Sequence, residues 1–165
     1  MKKLIIVLLL TLPLFYAAAD GWKNQNINGY DFSWRFIDEN IEVELSYPTK
    51  GWISVGFDAE NKMAGANIII GTVKDGELLI EDHFGNGMFK HAEDLKLDGN
   101  DDITEATGLE SLDTTILKFT IPADSGDKND KALEEGGTYR IIFASSKSDD
   151  IGKKHSKRAG ADIKL

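Results

Sequence analysis

The chain predicts an all-β protein, one immunoglobulin-like two-sheet β-sandwich of about ten strands. Three observations carry that expectation. Apolar and polar residues alternate with a period of two in Tyr30-Asp-Phe-Ser-Trp-Arg-Phe36 and again in Ile41-Glu-Val-Glu-Leu-Ser-Tyr47, the mark of strands with one buried face. The β-branched run Ile68-Ile69-Ile70 suits a strand and no exposed helix would prefer it. Turn residues recur at short intervals between such stretches, as they do where short strands build a sandwich.

In chain order, Asp38-Glu-Asn40 supplies turn chemistry between the two alternating stretches, so they pair as a hairpin. Pro48 and Gly51 mark the next turn, and Trp52, Ile53, Val55 and Phe57 make a strand of β-formers among small residues. A short polar loop then leads to the strand 68–73. Asp75-Gly76 separates that strand from Leu78–Asp82, and Asp-Gly is a strong hairpin signal. Residues 85–110 read as a long polar loop with an acidic run at Asp98–Asp102; loops beyond about 12–15 residues tend to be functional or disordered. Thr114–Ile121 is a strand stopped by Pro122. Residues 124–137 read as a loop with one helical turn at 131–135. Thr138–Ser145 and Ala161–Leu165 are the last two strands.

The first 19 residues carry a different signature. Lys2 and Lys3 precede an apolar run from Leu4 to Phe15, and Ala17-Ala-Ala19 forms a small-residue cleavage site. This predicts a secretory signal peptide cut before Asp20, and so a secreted or periplasmic protein. The apolar run is short for a bilayer span of about 20 residues. Residues 20–165 amount to one domain, ample for a hydrophobic core. With no cysteine, that core forms without disulfides, and covalent haem attachment through C-x-x-C-H is excluded. Losing Lys2 and Lys3 takes the 19 basic residues to 17, against 28 acidic, a net charge near −11. Such a surface disfavours nucleic acid and anionic membranes as partners and suits a cationic one.

Met63 sits in the polar loop between two strands, flanked by Asn61, Lys62, Ala64 and Gly65. A thioether used as a gap-filler belongs in a core; in a polar loop it is well placed to be a soft metal ligand. The order Gly51-Trp-Ile-Ser-Val-Gly-Phe57, then Met63-Ala-Gly-Ala, then a hydrophobic strand ending in Gly71, resembles the DOMON family. The later segments Tyr139-Arg-Ile-Ile-Phe-Ala144, His155 and Arg158–Leu165 resemble its closing strands and loop, so the likeness runs from about Tyr30 to Leu165. Asn67 departs from it, standing where many members carry Asp.

The resemblance implies a b-type haem held without covalent attachment, with Met63 and His155 as its axial ligands. A Met/His pair raises the iron's potential and suits electron transfer. Lys153, Lys154, Lys157 and Arg158 surround His155 in an otherwise acidic chain, and Lys154 or Arg158 would give charge-assisted hydrogen bonds to haem propionates. Trp52, Phe84, Met88 and Phe89 are the expected apolar walls. In Glu81-Asp-His-Phe84, Asp82 and Phe84 match the family's Asp-x-Tyr/Phe, which makes His83 an outward neighbour.

Other chemistries find less in the sequence. His83 and His91 with nearby carboxylates suit zinc or copper by ligand type, but their spacing matches no standard site. Asp98-Gly-Asn-Asp-Asp102 fails the EF-hand pattern, because Ile103 holds the Gly position and Leu109 the twelfth; it reads as a solvated acidic loop. No thiol nucleophile, Gly-x-Ser-x-Gly elbow or phosphate loop is present. The expected role is therefore an electron carrier rather than an enzyme, serving a redox partner protein, soluble or membrane-bound. The competing reading is a binding module for carbohydrate or another small molecule, with Trp34, Trp52 or Tyr47 as stacking platforms.

Overall fold

In the computed structural model of the protein, residues 21–165 are described; the signal-peptide reading of residues 1–19 lies outside them. Alternation becomes strand wherever it was expected. Strand β1 spans Lys23–Ile27, β2 Tyr30–Ile37, β3 Asn40–Tyr47, β4 Ile53–Phe57 and β5 Asn67–Lys74. Then come β6 (Glu77–Gly87), β7 (Lys90–Glu93), a 3-10 turn at Asp94–Leu97, β8 (Glu105–Ser111), β9 (Thr114–Pro122), β10 (Thr138–Ser145) and β11 (Lys157–Lys164). Two antiparallel sheets, ordered β1-β2-β3-β9-β8 and β11-β10-β4-β5-β6-β7, pack as a sandwich.

The core lies between them. Tyr30, Phe32 and Trp34 of β2 point inward while Asp31 between them is exposed, and Val43, Leu45, Phe119 and Ile121 continue that face. The other sheet answers with Ile53, Val55, Phe57, Ile69, Ile141 and Phe143. Phe32 joins the two, its ring 4.9 Å from that of Trp34 and 5.4 Å from that of Phe143. Tyr30 spans the sheets as well, donating from its hydroxyl to Ser145 Oγ at 2.9 Å. Burial pushes that phenol up to about 12. Replacing the fully buried Phe32 with alanine is expected to cost about 3–5 kcal/mol, read by chemical denaturation; a change below about 1 kcal/mol would show that the core does not depend on this contact.

Three strands arise where sequence alone shows none. β1 is a polar edge strand, and β7 and β8 lie inside the stretch read as a long loop. β8 carries Gly108 because a Cβ there would come within 2.7 Å of Val73 Cγ2 and 2.8 Å of Leu78 Cδ1. The helical turn expected at 131–135 does not form. Leu133 instead turns into the core, its amide donating to Ala123 O at 2.7 Å. Among the described residues, no helix is long and apolar enough to cross a membrane.

Candidate functional site

β4 and β5 are buried along nearly their whole length on both faces, which a sheet edge or solvent-facing strand would not be. Their inner residues belong to the core. Their outer residues, Ser54 and Gly56 of β4 with Ile68 and Ile70 of β5, join Ile142 and Ala144 of β10 as the floor of a cleft of about 400 Å3. Cofactor and small-molecule sites run about 300–1,000 Å3 and are mostly apolar. Gly56 keeps the floor level, since a Cβ there would come within 2.8 Å of Ile142 Cγ1 and 3.1 Å of Ile68 Cγ1.

One wall is the turn that carries Met63. Glu60 N–H donates to Ala64 O, Ala64 N–H to Asn61 O and Ala66 N–H to Met63 O. Lys62 takes a left-handed backbone, φ 58°. The turn is then stapled to β6: Gly65 N–H donates to Gly85 O at 2.8 Å and Gly85 N–H to Ala66 O at 2.9 Å. Met63 is thereby held at the mouth of the cleft.

The opposite wall is the loop 146–156, which carries His155. Its base closes where Ser156 N–H donates to Ser145 O at 2.7 Å. It is tied to the sheet by backbone bonds between Trp52 and both Ser146 and Ser148, and by Thr72 Oγ1 donating to Asp149 Oδ1 at 2.8 Å. The Gly-Trp pair of the sequence motif now has a structural reason. A Cβ at Gly51 would lie 2.5 Å from Ser148 N and 2.6 Å from Ser146 O, so only glycine lets this loop cross. Trp52, 3 % exposed, packs beneath it and lines the cleft.

The tip of the β6–β7 hairpin forms the remaining side. Met88 and Phe89 line the cleft yet are 46 % and 70 % exposed, an unusual placement for large apolar side chains. Lys62 Nζ sits 3.8 Å above the Phe89 ring, a cation–π contact that joins hairpin tip to Met63 turn. Arg140 and Arg158 stand at the rim. Lys153 and Lys154 line an adjoining hollow that shares Trp52, Met63, Phe89, His91, His155 and Arg158 with the cleft. Cations thus gather on one face of a chain whose net charge is −9.

Both cleft histidines are poised as bases. Burial first, then the charges of Arg158 and Lys154, hold His155 below the ordinary imidazole value. Burial, then His83 and His155, hold His91 below it too. Each therefore presents a neutral ring at pH 7, the form that binds a metal. His91 reached the cleft through β7, which sequence did not reveal. His83 does lie on the outward face of β6, but it is only 7 % exposed because β7 covers it. Its Nδ1 is 2.9 Å from His91 Nδ1 and its Nε2 2.8 Å from Glu81 Oε2.

Of the expected walls, Trp52, Met88 and Phe89 line the cleft and Phe84 does not. Side chains alternate across a strand, so Phe84 stands on the opposite face of β6 from His83, in a separate hollow with Asn86 and Lys128. Of the aromatics named as stacking platforms, Trp34 is in the core, Trp52 is buried under the loop 146–156 where it lines the cleft, and Tyr47 stacks on Tyr30 with ring centroids 4.1 Å apart. A haem fits the donors present: a thioether, neutral imidazoles, a level apolar floor and cations at the rim.

Comparison with known proteins bears on the fold and the family. The chain is 29 % identical over 140 residues to human "DBH-like monooxygenase protein 1", a match covering 82 % of this chain and 22 % of that protein; the chain thus spans about a fifth of its relative's length. Two solved structures share its fold at 11 % identity. One is the cytochrome b domain of pyranose dehydrogenase from Coprinopsis cinerea, with a TM-score of 0.60 over 82 % of this chain and 76 % of that one. The other is the cytochrome domain of Myriococcum thermophilum cellobiose dehydrogenase, with a TM-score of 0.60 over 87 % and 81 %. The family model for the DOMON domain matches residues 26–146. The chain belongs to the DOMON domain family.

Proposed function

We propose that this protein is an exported, b-type-cytochrome-like electron-transfer domain that binds one haem in the cleft, with Met63 and His155 as axial ligands. The observation that carries the reading is the convergence of these two residues, 92 positions apart in sequence, on one apolar cleft. Arg158 and Arg140 at its rim, with Lys154 beside it, would meet the propionates as charge-assisted donors. Bound there, haem supplies a reversible one-electron couple. The chain's residues would hold the ring, with Met63 and His155 as its protein ligands and Trp52, Met88 and Phe89 as its apolar walls. The partner would be a redox protein, soluble or membrane-bound, steered toward the acidic surface by positive charge of its own.

The test is reconstitution. Purified residues 20–165 titrated with haemin should give a Soret band, with sharp low-spin α and β bands after reduction and one haem per chain at saturation. Protein that stays colourless with haemin yet binds glycans or another small molecule in the cleft would replace this reading with that of a binding module.

A further inference from the structure

A second candidate site lies at the far side of β6, away from the cleft. We propose that Asp82, Asp102 and Asp130 form a binding site for a hard divalent cation, calcium by class, that ties three separate segments of the chain together. Asp82 comes from β6, Asp102 from the segment before β8, and Asp130 from the segment between β9 and β10. One carboxylate oxygen of each lies within 4.8 Å of the others. Oxygens bound to a single calcium at about 2.3–2.6 Å can stand no more than about 5.2 Å apart, so one ion can reach all three.

The hydrogen bonding shows what is missing. Asp102 N–H donates to Asp82 Oδ2 at 3.0 Å, and Ser125 Oγ donates to Asp130 Oδ2 at 2.7 Å. These bonds orient the two carboxylates and leave Asp82 Oδ1 buried with no partner, while Asp130 and Asp102 set their carboxylates against each other with Asp130 Oδ1 and Asp102 Oδ2 buried and no donor to either. Asp82 is 4 % exposed. None of the ion pairs among the described residues brings a lysine or arginine to any of the three. Desolvated carboxylates without a counter-charge are costly, and the site must take up either a cation or protons.

Its surroundings favour the cation. Asp94, buried in the 3-10 turn, and Asp101 add negative charge toward Asp82. Burial first, then the charges of Asp130, Asp94 and Asp101, push Asp82 up to about 8, and burial with the contact to Asp102 raises Asp130. A divalent ion with three oxygen ligands satisfies these carboxylates together. Gly99 helps to close it: a Cβ there would lie 2.5 Å from Asn129 Nδ2 and 2.8 Å from Asp94 Oδ2. The acidic run Asp98–Asp102 is therefore not simply a solvated loop, because its last member turns inward. The site is independent of the haem reading.

The experiment uses haem-free protein stripped with EGTA and titrated with calcium chloride, followed by calorimetry and thermal melting. One calcium per chain is expected to bind, and at a hundredfold excess over Kd the melting temperature should rise by about 5–10 °C. Asp102→Asn and Asp130→Asn should each weaken binding by about tenfold or more, since ligand charge sets affinity at such sites. Asp98→Asn, which alters an exposed neighbour, should leave it unchanged. The proposal fails if stripped and calcium-supplied protein melt within about 1 °C of each other with no heat of binding. It fails equally if both ligand variants bind calcium as the parent does.

Discussion

Replacing His155 with alanine should weaken haem retention by about a hundredfold, or about 2.8 kcal/mol, and convert the spectrum from low-spin to high-spin. The physical reason is loss of one of the two proposed iron ligands, which neither the apolar floor of the cleft nor the cations at its rim can replace. Met63→Ala should give the same spectral change. Met63→His should restore a six-coordinate low-spin iron at a lower potential, because exchanging thioether for imidazole removes the ligand that raises it. The informative comparison is His91, which lines the same cleft and is held neutral by the same burial. His91→Ala should keep the low-spin bands and alter affinity only slightly. Titration with haemin and spectra of the reduced protein read all four variants. If His91→Ala alone turns the spectrum high-spin, His91 is the ligand, and Lys154 and Arg158 lose their assigned role beside His155.

How much of this was legible beforehand depended on where each residue's partners lie in the chain. β2, β3, β9 and β10 announce themselves because alternation is local and each strand buries one face. β1, Lys-Asn-Gln-Asn-Ile, carries no such signal: as a polar edge strand it exists only because β2 offers it a register. β8 is the same case, needing Gly108 to fit over Val73 and Leu78. The cleft floor also carries a signal in the sequence. Strands apolar on both faces, such as β4 and β5, require a cover on each side, and the outer cover here is the pair of loops bearing Met63 and His155. The family pattern marks those loops, and periodicity does not. Asp82, Asp102 and Asp130 could not be found at all from sequence. Their spacing matches no cation-binding motif, and only the packing of two irregular segments against β6 brings their oxygens together.

Gly85→Ala should be the most damaging glycine substitution near the cleft, although its backbone is one any residue adopts. A Cβ at this position would land on the carbonyl oxygen of Met63, with the carbonyl carbon at 2.6 Å and Ala66 N at 3.3 Å. These are backbone atoms, so no rotamer change relieves the clash. The Met63 turn must move off β6, and with it go the two hydrogen bonds that join Gly85 to Gly65 and Ala66. Overpacking of about 1–3 kcal/mol and about 0.5–1.5 kcal/mol for each of the two strained bonds make a loss of about 2–6 kcal/mol, enough to lower the melting temperature by about 5–20 °C. Haem binding should fall with it, because Met63 is displaced by the same movement. Gly76→Ala separates the two effects. That glycine has φ 82° and nothing within 4 Å of an added Cβ, so its cost is backbone strain of about 1–2 kcal/mol in a hairpin remote from the cleft. Melting curves and haemin titrations on both variants decide the matter: Gly76→Ala should lose stability and keep its haem affinity, whereas Gly85→Ala should lose both. A Gly85→Ala protein that melts like its parent and keeps a low-spin spectrum would mean that the Met63 turn is not held against β6 in the way the hydrogen bonds require.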